Sequence, residues 1–375
     1  EYYKRALKIN YNSPYTHINM GTLLTDLNQL ELAEKHLKYA YQLDSSNSTI
    51  HRNLGCLYEF SGNFKNAENE FKKCLRIDPN NFEVQKALSF NFFYKRDFVN
   101  FRKLYKSRLK IPGEIKSIKT SKLIKDHNDL NDFKDKNILI YPEQGIGDEV
   151  FFSGLVEKFI SKTRAKIIFL TNNRLLPIFR RSFKFKIYDV LDVDNLKFDF
   201  DYSMPMGSLI EFIEFEKDSH YPQSQYLYPD KKLVSQWKNI LNSLSKKPKI
   251  GISWKGGSDT KQKIKRSINL NELATHLPKE YDYISLQYGD CEDEINEAEK
   301  NTGINIFYWD DVNPLKSIDQ QFAQIAALDA VISIQNSTLH FAGSLGKQTI
   351  ALLPFMPDFR WSLKTKKSMF YKSIN

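Results

Sequence analysis

A short acidic loop that contains glycines is the first feature of the sequence that could do chemistry. Residues 143–148 read Glu-Gln-Gly-Ile-Gly-Asp, directly after a predicted strand and at the start of a predicted helix. Glycines at such a turn let backbone N–H groups approach a ligand. Val150 replaces the third glycine of a dinucleotide fingerprint, and no Gly-Lys-Ser/Thr follows, which excludes a P-loop. Asp148 could therefore act as a general base on a hydroxyl group, or it could simply complement the helix dipole.

A second group of polar and basic residues follows predicted strands in the C-terminal part of the chain. Ser-Trp-Lys-Gly-Gly at 253–257 ends one strand, and Ser-Ile-Gln-Asn-Ser-Thr-Leu-His at 333–340 ends another and enters a helix. Hydroxyl and amide groups at a helix N-terminus, with cationic side chains nearby, suit a diphosphate. Taken alone, Lys255 is an ordinary solvated lysine and His340 an ordinary packing histidine. Taken together, the group favours a nucleotide-sugar site. Its candidate residues are Trp254, Lys255, Lys265, Arg266, Gln335, Asn336, Ser337, Thr338 and His340.

Strands and helices alternate after residue 136, and this alternation must position both loops. Strands are predicted at Asn137–Tyr141, Lys166–Leu170, Lys186–Val190 and Phe200–Met204, then at Lys249–Trp254, Tyr283–Gln287, Asn305–Tyr308, Ala330–Ile334 and Gln348–Leu353. Helices are predicted at Glu149–Thr163, Leu175–Phe183, Lys231–Leu244, Asn271–Leu277, Cys291–Asn301, Gln320–Leu328 and Ser337–Leu345. This pattern is typical of parallel α/β sheets. It predicts two Rossmann-like halves, with ligands bound beyond the carboxyl ends of their strands.

The first 110 residues carry a repeat of 34 residues. Residue types recur at that spacing in five series, which are Gly21/Gly55, Asn28/Gly62, Ala33/Ala67, Tyr3/Leu37/Phe71 and Ala6/Ala40/Cys74. This is the tetratricopeptide (TPR) period, with one helical hairpin per unit. We predict complete repeats at 13–46 and 47–80, the second helix of a repeat at 1–12 and a degenerate unit at 81–110. Since the chain begins at Glu1 in mid-repeat, we expect it to be a fragment. A TPR array binds a protein or peptide and carries no chemistry itself.

The composition is that of a folded chain of two or three domains. It has 375 residues, of which 41% are hydrophobic and 27% charged, and this excludes disordered and collagen-like classes. The net charge of +10 favours anionic partners. Because the lysines are scattered and no RNP-like or helix-turn-helix motif is present, we predict no nucleic-acid partner.

The cysteines, the apolar runs and the metal motifs exclude further classes of protein. Cys56, Cys74 and Cys291 lie far apart without CxxC spacing, which argues against a disulfide framework and for a reducing compartment. No apolar run approaches the roughly 18–20 residues of a membrane span. We therefore predict a cytoplasmic protein without a membrane span. The histidines lack paired spacing, and the DxD matches at 192–194 and 199–201 are short enough to arise by chance, so no metal is predicted.

Several stretches, taken in order, resemble the bacterial TPR-linked glycosyltransferases of the heptosyltransferase superfamily. They are EQGIGDEVFFS (143–153), GISWKGG (251–257), KRSINL (265–270), SLQ (285–287), SIQNSTLHFAGSLGKQTIALLP (333–354) and DFRW (358–361). The resemblance implies a GT-B fold and inverting, metal-independent transfer from a nucleoside-diphosphate sugar, with no cofactor. It also implies that Asp148 is the catalytic base. It places Gln144, Gly145 and Gly147 in an acceptor-side loop and Gln287 in the donor site. Gln335 stands where the family has an acid.

The combined prediction is an all-α part followed by an α/β part. A TPR solenoid covers 1–110 and a linker 111–136. An N-terminal Rossmann-like acceptor domain covers 137–230, a connecting helix 231–248 and a C-terminal Rossmann-like nucleotide-sugar domain 249–375. The expected function is sugar transfer from a nucleoside-diphosphate donor to a hydroxyl on a protein that the TPR array presents. Two alternatives remain open: the same chemistry on lipopolysaccharide or another surface glycan, and a non-catalytic TPR scaffold with a degenerate transferase half.

Overall fold

The computed structural model describes residues 1–113, 133–195, 199–215, 224–256, 266–361, 363 and 366–375. The chain divides into two compact units, Glu1–Glu114 and Ile115–Asn375. Most of the linker predicted at 111–136 lies outside the described residues, as does the candidate donor residue Lys265. Within the described residues, no helix is both long and apolar enough to cross a lipid bilayer.

The first unit consists of TPR-like helical hairpins. Its helices are α1 (Tyr2–Ile9), α2 (Pro14–Asp26), α3 (Leu30–Leu43), α4 (Ser48–Phe60), α5 (Phe64–Ile77), α6 (Phe82–Tyr94) and α7 (Phe98–Tyr105), and a 3-10 turn (Lys106–Lys110) follows. Helices α2 and α3, α4 and α5, and α6 and α7 pack as pairs. The predicted repeat architecture is therefore confirmed, and the degenerate stretch 81–110 also forms a hairpin.

Glycine and small polar residues explain why the repeats form. Asn47, Asn63 and Asn81 each precede a helix, and the side-chain oxygen of each accepts a backbone N–H of the first turn. A Cβ built on Gly55 would lie 2.5 Å from the Phe71 ring, and one on Gly21 would lie 2.6 Å from Leu37. The paired helices can approach this closely only because these positions lack a side chain, which accounts for the 34-residue glycine series.

The second unit contains two parallel sheets. The first has the order β3-β2-β1-β4. Its strands are β1 (Asn137–Tyr141), β2 (Lys166–Thr171), β3 (Lys186–Asp189) and β4 (Tyr202–Pro205). Its helices are α8 (Ile146–Ser153), α9 (Val156–Thr163) and α10 (Leu176–Ser182). Strands β1 and β2 are almost completely buried, as their continuous apolar sequences require.

The helix predicted at Glu149–Thr163 is in fact two helices, α8 and α9. The Val150 carbonyl would normally accept the N–H of Gly154 but instead accepts the hydroxyls of Ser153, at 2.8 Å, and Tyr226, at 2.9 Å. The Tyr226 ring also occupies the space beside Gly154, where a Cβ would lie 2.9 Å from it. The break therefore has a tertiary cause. The first helix also begins three residues earlier than predicted, which places Asp148 in its first turn.

The second sheet has the order β7-β6-β5-β8-β9, and all of its pairs are parallel. Its strands are β5 (Lys249–Ser253), β6 (Asp282–Ser285), β7 (Asn305–Phe307), β8 (Ala330–Ile334) and β9 (Thr349–Leu352). The helices here are α11 (Lys231–Leu244), α12 (Leu270–Ala274), α13 (Glu292–Thr302), α14 (Ile318–Ala327) and α15 (Ser337–Ser344). Residues 373–375 run beside β9, where Thr349 N–H donates to Ser373 O at 2.9 Å.

Helix α11, predicted as a connector, packs on the second sheet's helical layer. It contacts α14, and Trp237 Nε1–H donates to Gln320 Oε1 at 3.2 Å. The segment just before it touches both halves. Tyr226 N–H donates to Ser344 O of α15, while its hydroxyl binds Val150 O of α8. Residues 224–230 therefore hold α8 and α15 in a fixed relation.

Candidate functional site

A cavity of about 490 Å³ lies where the carboxyl ends of β1, β5 and β8 meet. Both sheet halves contribute to its walls. The first half contributes residues 145–148 and Arg174, and the second contributes the loop after β5, the start of α15 and residues 358–361. Of the predicted site residues, the cavity is lined by Gly145, Gly147, Asp148, Lys255, Arg266, Gln335, Asn336, Ser337, Thr338 and His340.

The first turns of helices α8 and α15 touch each other at the wall of this cavity. A Cβ on Gly147 would lie 3.1 Å from His340 Cδ2 and 3.3 Å from Ser337 Cα. A side chain at residue 147 would crowd both His340 and Ser337, and the two helix N-termini face the same small volume. Backbone N–H groups at both termini carry partial positive charge, so the shared volume attracts an anion.

Asp148 both caps its helix and lies in the cavity wall. Its Oδ2 accepts the Gly145 N–H at 3.1 Å, and its Oδ1 is ion-paired with Arg360. The side chain keeps 23% of its surface exposed. The two roles considered for Asp148 in the sequence are therefore compatible with one another, since the capping carboxylate also reaches the cavity.

Arg360 is the site residue that sequence reasoning did not single out. Its guanidinium donates to Asp148, to Gln144 Oε1 at 3.0 Å and to Asp358 Oδ1 at 2.6 Å. The residue is 7% exposed, and its guanidinium carbon lies 5.4 Å from the ring of Phe151. The Asp-Phe-Arg-Trp run was visible in the sequence, but nothing local in it indicated a bridge to a loop more than 200 residues away.

Asp358 and Gln335 form the adjoining part of the wall. Burial alone would raise the pKa of Asp358, but the Arg360 charge and hydrogen bonds from Arg360 outweigh it and hold that pKa below its usual value. Gln335 Oε1 accepts the backbone N–H of Asp358 at 3.1 Å. The Gln335 amide therefore orients residue 358, and both residues line the cavity.

The start of α15 offers donors to a ligand. Asn336 Oδ1 caps the helix through Leu339 N–H at 3.3 Å. Within the described part of the chain, no acceptor is found for the N–H groups of Ser337 and Thr338. Both residues line the cavity. These groups are the unsatisfied donors that an anion at a helix N-terminus would use.

Of the three cationic side chains predicted for the donor site, the two that the structure describes differ in their partners. Lys255 Nζ is ion-paired with Glu294 of α13. Arg266 lines the cavity, and among the described residues it makes no hydrogen bond or ion pair, although its charge acts on Asp358 and His340. Arg266 is therefore the cation best placed for an incoming anion.

Three predicted donor residues serve mainly to build the site. Trp254 is fully buried in the second sheet's core, donates its Nε1–H to Glu294 at 3.0 Å and does not line the cavity. Gln287 Oε1 accepts Lys255 N–H at 2.9 Å and fixes the turn after β5. Asn336 Nδ2 donates to Ser253 Oγ at 2.7 Å, which ties the ends of β5 and β8 together.

His340 is a buried, neutral histidine. Burial, followed by the nearby Arg360 charge, lowers the pKa of His340 to about 3. Its Nδ1 and the Tyr371 hydroxyl are hydrogen-bonded at 2.8 Å. A neutral imidazole can position a ligand by hydrogen bonding, but it adds no charge to the cavity near pH 7.

A second cavity of about 320 Å³ adjoins the first and shares Tyr288 and Gln321 with it. Tyr308 and Trp309 contribute aromatic surface to its wall. Gln324 of α14 lines it and is only 1% exposed, and among the described residues neither Oε1 nor Nε2 of its amide has a hydrogen-bond partner. Leaving a buried amide unpaired costs about 1–3 kcal/mol, so Gln324 lowers the stability of the fold at this wall.

Metal-binding patterns were also considered. Among the residues the structure describes, no three or more His, Cys, Asp or Glu side chains converge as a metal site. In the DxD match at 199–201, Asp201 Oδ2 accepts Asn137 N–H at 2.8 Å. This contact lies at the amino end of β1, opposite to the cavity, so Asp201 has a structural role.

Comparisons with known proteins identify the repeats most directly. The sequence model of the tetratricopeptide repeat family matches residues 50–81, which cover most of α4 and all of α5. A curated relative, Protein FlbA of Caulobacter vibrioides, is 27% identical over 232 residues. The match covers 57% of this chain, and the chain spans only 39% of the length of that relative.

Solved structures are similar to separate parts of the chain. PilF of Pseudomonas aeruginosa covers 29% of this chain and 50% of its own at 24% identity, with a TM-score of 0.27. YrrB, described as a TPR protein with an unusual peptide-binding site, covers 29% of this chain and 55% of its own at 26% identity, with a TM-score of 0.26. A family 9 glycosyl transferase from Veillonella parvula covers 59% of this chain and 82% of its own at 10% identity, with a TM-score of 0.45.

Proposed function

We propose that this chain is a glycosyltransferase that moves a sugar from a nucleoside-diphosphate donor to an acceptor hydroxyl. The observation that carries the proposal is the shared cavity, which brings the carboxylate of Asp148 opposite the N-terminus of α15 and Arg266. One wall can accept a proton and the other can hold an anion, and sugar transfer with loss of a nucleoside diphosphate requires both.

The donor diphosphate would occupy the start of α15. The N–H groups of Ser337 and Thr338 and the guanidinium of Arg266 are the groups available to it. The described wall favours an anion, because it carries four cationic side chains and only two carboxylates. The cations are Arg174, Lys255, Arg266 and Arg360, and the carboxylates are those of Asp148 and Asp358. Charge-assisted hydrogen bonds to phosphate are among the strongest in proteins.

The nucleobase would enter the second cavity. That cavity adjoins the first, and its aromatic residues Tyr288, Tyr308 and Trp309 can contact a flat heterocycle. The side chain of Gln324 lies in the wall beside these rings, with its amide atoms buried. A donor that spans both cavities would thus contact the aromatic wall and the helix terminus together.

The chemistry proposed for Asp148 is general base catalysis. Its carboxylate would take the proton of the acceptor hydroxyl as the hydroxyl oxygen attacks the anomeric carbon of the sugar. The bond from that carbon to the diphosphate oxygen breaks, and the nucleoside diphosphate leaves with the negative charge held by α15 and Arg266. Because attack and departure occur on opposite faces, the anomeric configuration inverts, and no metal is needed in this scheme.

The acceptor is proposed to be a protein held by the TPR unit. Sugar transfer would then glycosylate a Ser or Thr of that protein. Transfer to a surface glycan uses the same cavity and differs only in acceptor. A non-catalytic scaffold is the second candidate. It is favoured by Gln335, whose amide binds the protein backbone where the resemblance expects an acid.

The test begins with ligand binding and continues with turnover. Thermal shift with UDP, GDP, ADP and CMP identifies the nucleotide, and donor hydrolysis and transfer are then measured with the matching nucleotide sugars. We expect one nucleotide to stabilise the protein. We also expect Asp148→Asn to bind that nucleotide but to lose turnover by about 10²-fold or more. If Asp148→Asn turns over like the wild type, the base assignment is wrong. If no nucleotide binds, the result supports the second candidate, a non-catalytic scaffold.

A further inference from the structure

We infer that Arg360 is a positioning residue whose guanidinium holds Asp148 while the cavity is empty and transfers to the donor diphosphate when it binds. The inference rests on the proposed function and adds to it a coupling between the two sides of the site. Donor binding would thereby release the carboxylate that must accept the acceptor's proton.

The contacts of Arg360 place it between the two halves. It donates to Asp148 and Gln144 from the first half and to Asp358 from its own loop. It packs among aromatic rings, including those of Phe151 and Phe359. The guanidinium is thus held at the cavity wall by buried surroundings, while its hydrogen bonds are shared among several acceptors.

The charges make this arrangement responsive to an anion. One guanidinium serves two carboxylates, Asp148 and Asp358, and it lines the same cavity as Arg266. A diphosphate at the start of α15 brings two or more negative charges and oxygens suited to the planar fork of an arginine. It therefore competes with Asp148 for Arg360.

The consequence for Asp148 follows from its two contacts. With Arg360 engaged, Oδ1 is occupied by a cation and Oδ2 by Gly145 N–H. When the guanidinium turns to the diphosphate, Oδ1 is released and the carboxylate loses its counter-ion, which makes it a better proton acceptor. Arg360 thus links donor occupancy to readiness of the base, and the donor should bind before the acceptor reacts.

Linkage gives a test that needs no turnover. If Asp148 and the diphosphate compete for Arg360, removing the charge of Asp148 must strengthen diphosphate binding. The probe is inorganic diphosphate, measured by calorimetry on the full chain, with UDP and ADP as further ligands. Asp148→Asn removes no heavy atom, and we expect it to bind diphosphate about tenfold more tightly than the wild type.

Arg360→Lys separates this competition from simple charge removal. Lysine keeps the charge but lacks the bidentate fork. In the Arg360→Lys background, we expect Asp148→Asn to change diphosphate affinity by less than about threefold. Asp319→Asn is the matched control, because Asp319 is ion-paired with Arg181 and neither residue lines the cavity. It should leave the affinity unchanged.

The outcomes are distinguishable. A gain in affinity for Asp148→Asn that vanishes with Arg360→Lys supports the coupling. An equal gain in both backgrounds shows plain charge repulsion and overturns it, and so does an unchanged or weaker affinity for Asp148→Asn, while the proposed function stands in both cases. If neither inorganic diphosphate nor any nucleotide binds the wild type, the proposed function fails and the inference fails with it.

Discussion

Gly147 of helix α8 lies against the imidazole of His340 on helix α15, so close that a Cβ on the glycine would reach 3.1 Å from His340 Cδ2. Such a contact sets the spacing of the two helix N-termini that face the cavity. Neither residue needs to touch a ligand for this contact to matter, because it fixes the distance between the wall that carries Asp148 and the wall that carries Ser337.

Alanine at Gly147 should therefore destabilise the protein. Alanine usually favours a helix over glycine, but here the added methyl group must push His340 or Ser337 aside. We expect Gly147→Ala to cost about 1 kcal/mol and Gly147→Val more, as overpacking does. Gly145→Ala is the control, because its Cβ would meet only Asp148 Oδ2, at an ordinary 3.6 Å. Urea denaturation measures both, and equal costs would contradict the role of this contact.

Arg266 should contribute more to nucleotide binding than Lys255. Arg266 has no partner among the described residues, whereas Lys255 is already neutralised by Glu294. We expect Arg266→Gln to weaken nucleoside-diphosphate binding about tenfold or more, and Lys255→Gln to weaken it about threefold or less. Calorimetric titration gives both values. A larger loss from Lys255→Gln would show that the ion pair opens when the ligand arrives.

Gln324 and Gln321 should respond in opposite directions when each is replaced by leucine. The Gln324 amide is buried without partners, so Gln324→Leu should raise the free energy of unfolding by about 1–2 kcal/mol. Gln321 Nε2–H donates to Leu286 O at 2.9 Å, so Gln321→Leu should lower it. Gln324→Leu should also weaken nucleoside-diphosphate binding but leave inorganic diphosphate binding unchanged. Equal loss of both ligands would place the nucleobase elsewhere.

Acid should destabilise the protein through His340. Because the folded-state pKa is about 3 and the unfolded value is 6.5, the unfolded state binds more protons between these values. Stability from this group is present above pH 6.5 and is lost as the pH falls towards 3. Between pH 7 and 4.5 we expect wild type to lose about 2 kcal/mol more than His340→Gln. Urea denaturation at both values tests this, with exposed His276→Gln as a control that should behave like the wild type.

Alanine at Gly55 should destabilise the TPR unit. On helix propensity alone, glycine to alanine would gain up to about 1 kcal/mol. A Cβ here would lie 2.5 Å from the Phe71 ring, so the hairpin must open. We expect Gly55→Ala to lower the thermal unfolding midpoint seen by far-ultraviolet circular dichroism. A rise in the midpoint would show that the spacing between the paired helices is not limiting.

Most of the secondary structure could be predicted from the sequence, because hydrophobic periodicity depends only on residues close together in the chain. The 34-residue series placed the helical hairpins, and the predicted bounds of strand β1 and helix α11 agree with the structure to the residue. The break between α8 and α9 was not predictable, since its cause is the hydroxyl of Tyr226, 76 residues away. A single sequence has no local signal for a contact of that kind.

Some residues of the candidate site could likewise be predicted from the sequence, and others could not. Asp148, Ser337 and Thr338 follow strands, so topology alone brought them to the same edge. Burial and long-range pairing decide the positions of Trp254 and Arg360, and neither leaves a local signal. Trp254 was placed in the donor site because it ends a strand beside Lys255, whereas in the fold its indole fills the core.

The tryptophans also offer a selective optical probe. All four tryptophans, Trp237, Trp254, Trp309 and Trp361, belong to the second unit, and the TPR unit has none. Excitation at the red edge of indole absorption therefore reports on the α/β unit alone. The ring centroids of Trp361 and His340 lie 5.2 Å apart, and Trp361 lines the cavity. Ligand entry should therefore change the emission maximum or the quantum yield of Trp361. The melting of the α/β unit can thus be followed apart from that of the TPR unit, without attaching a dye.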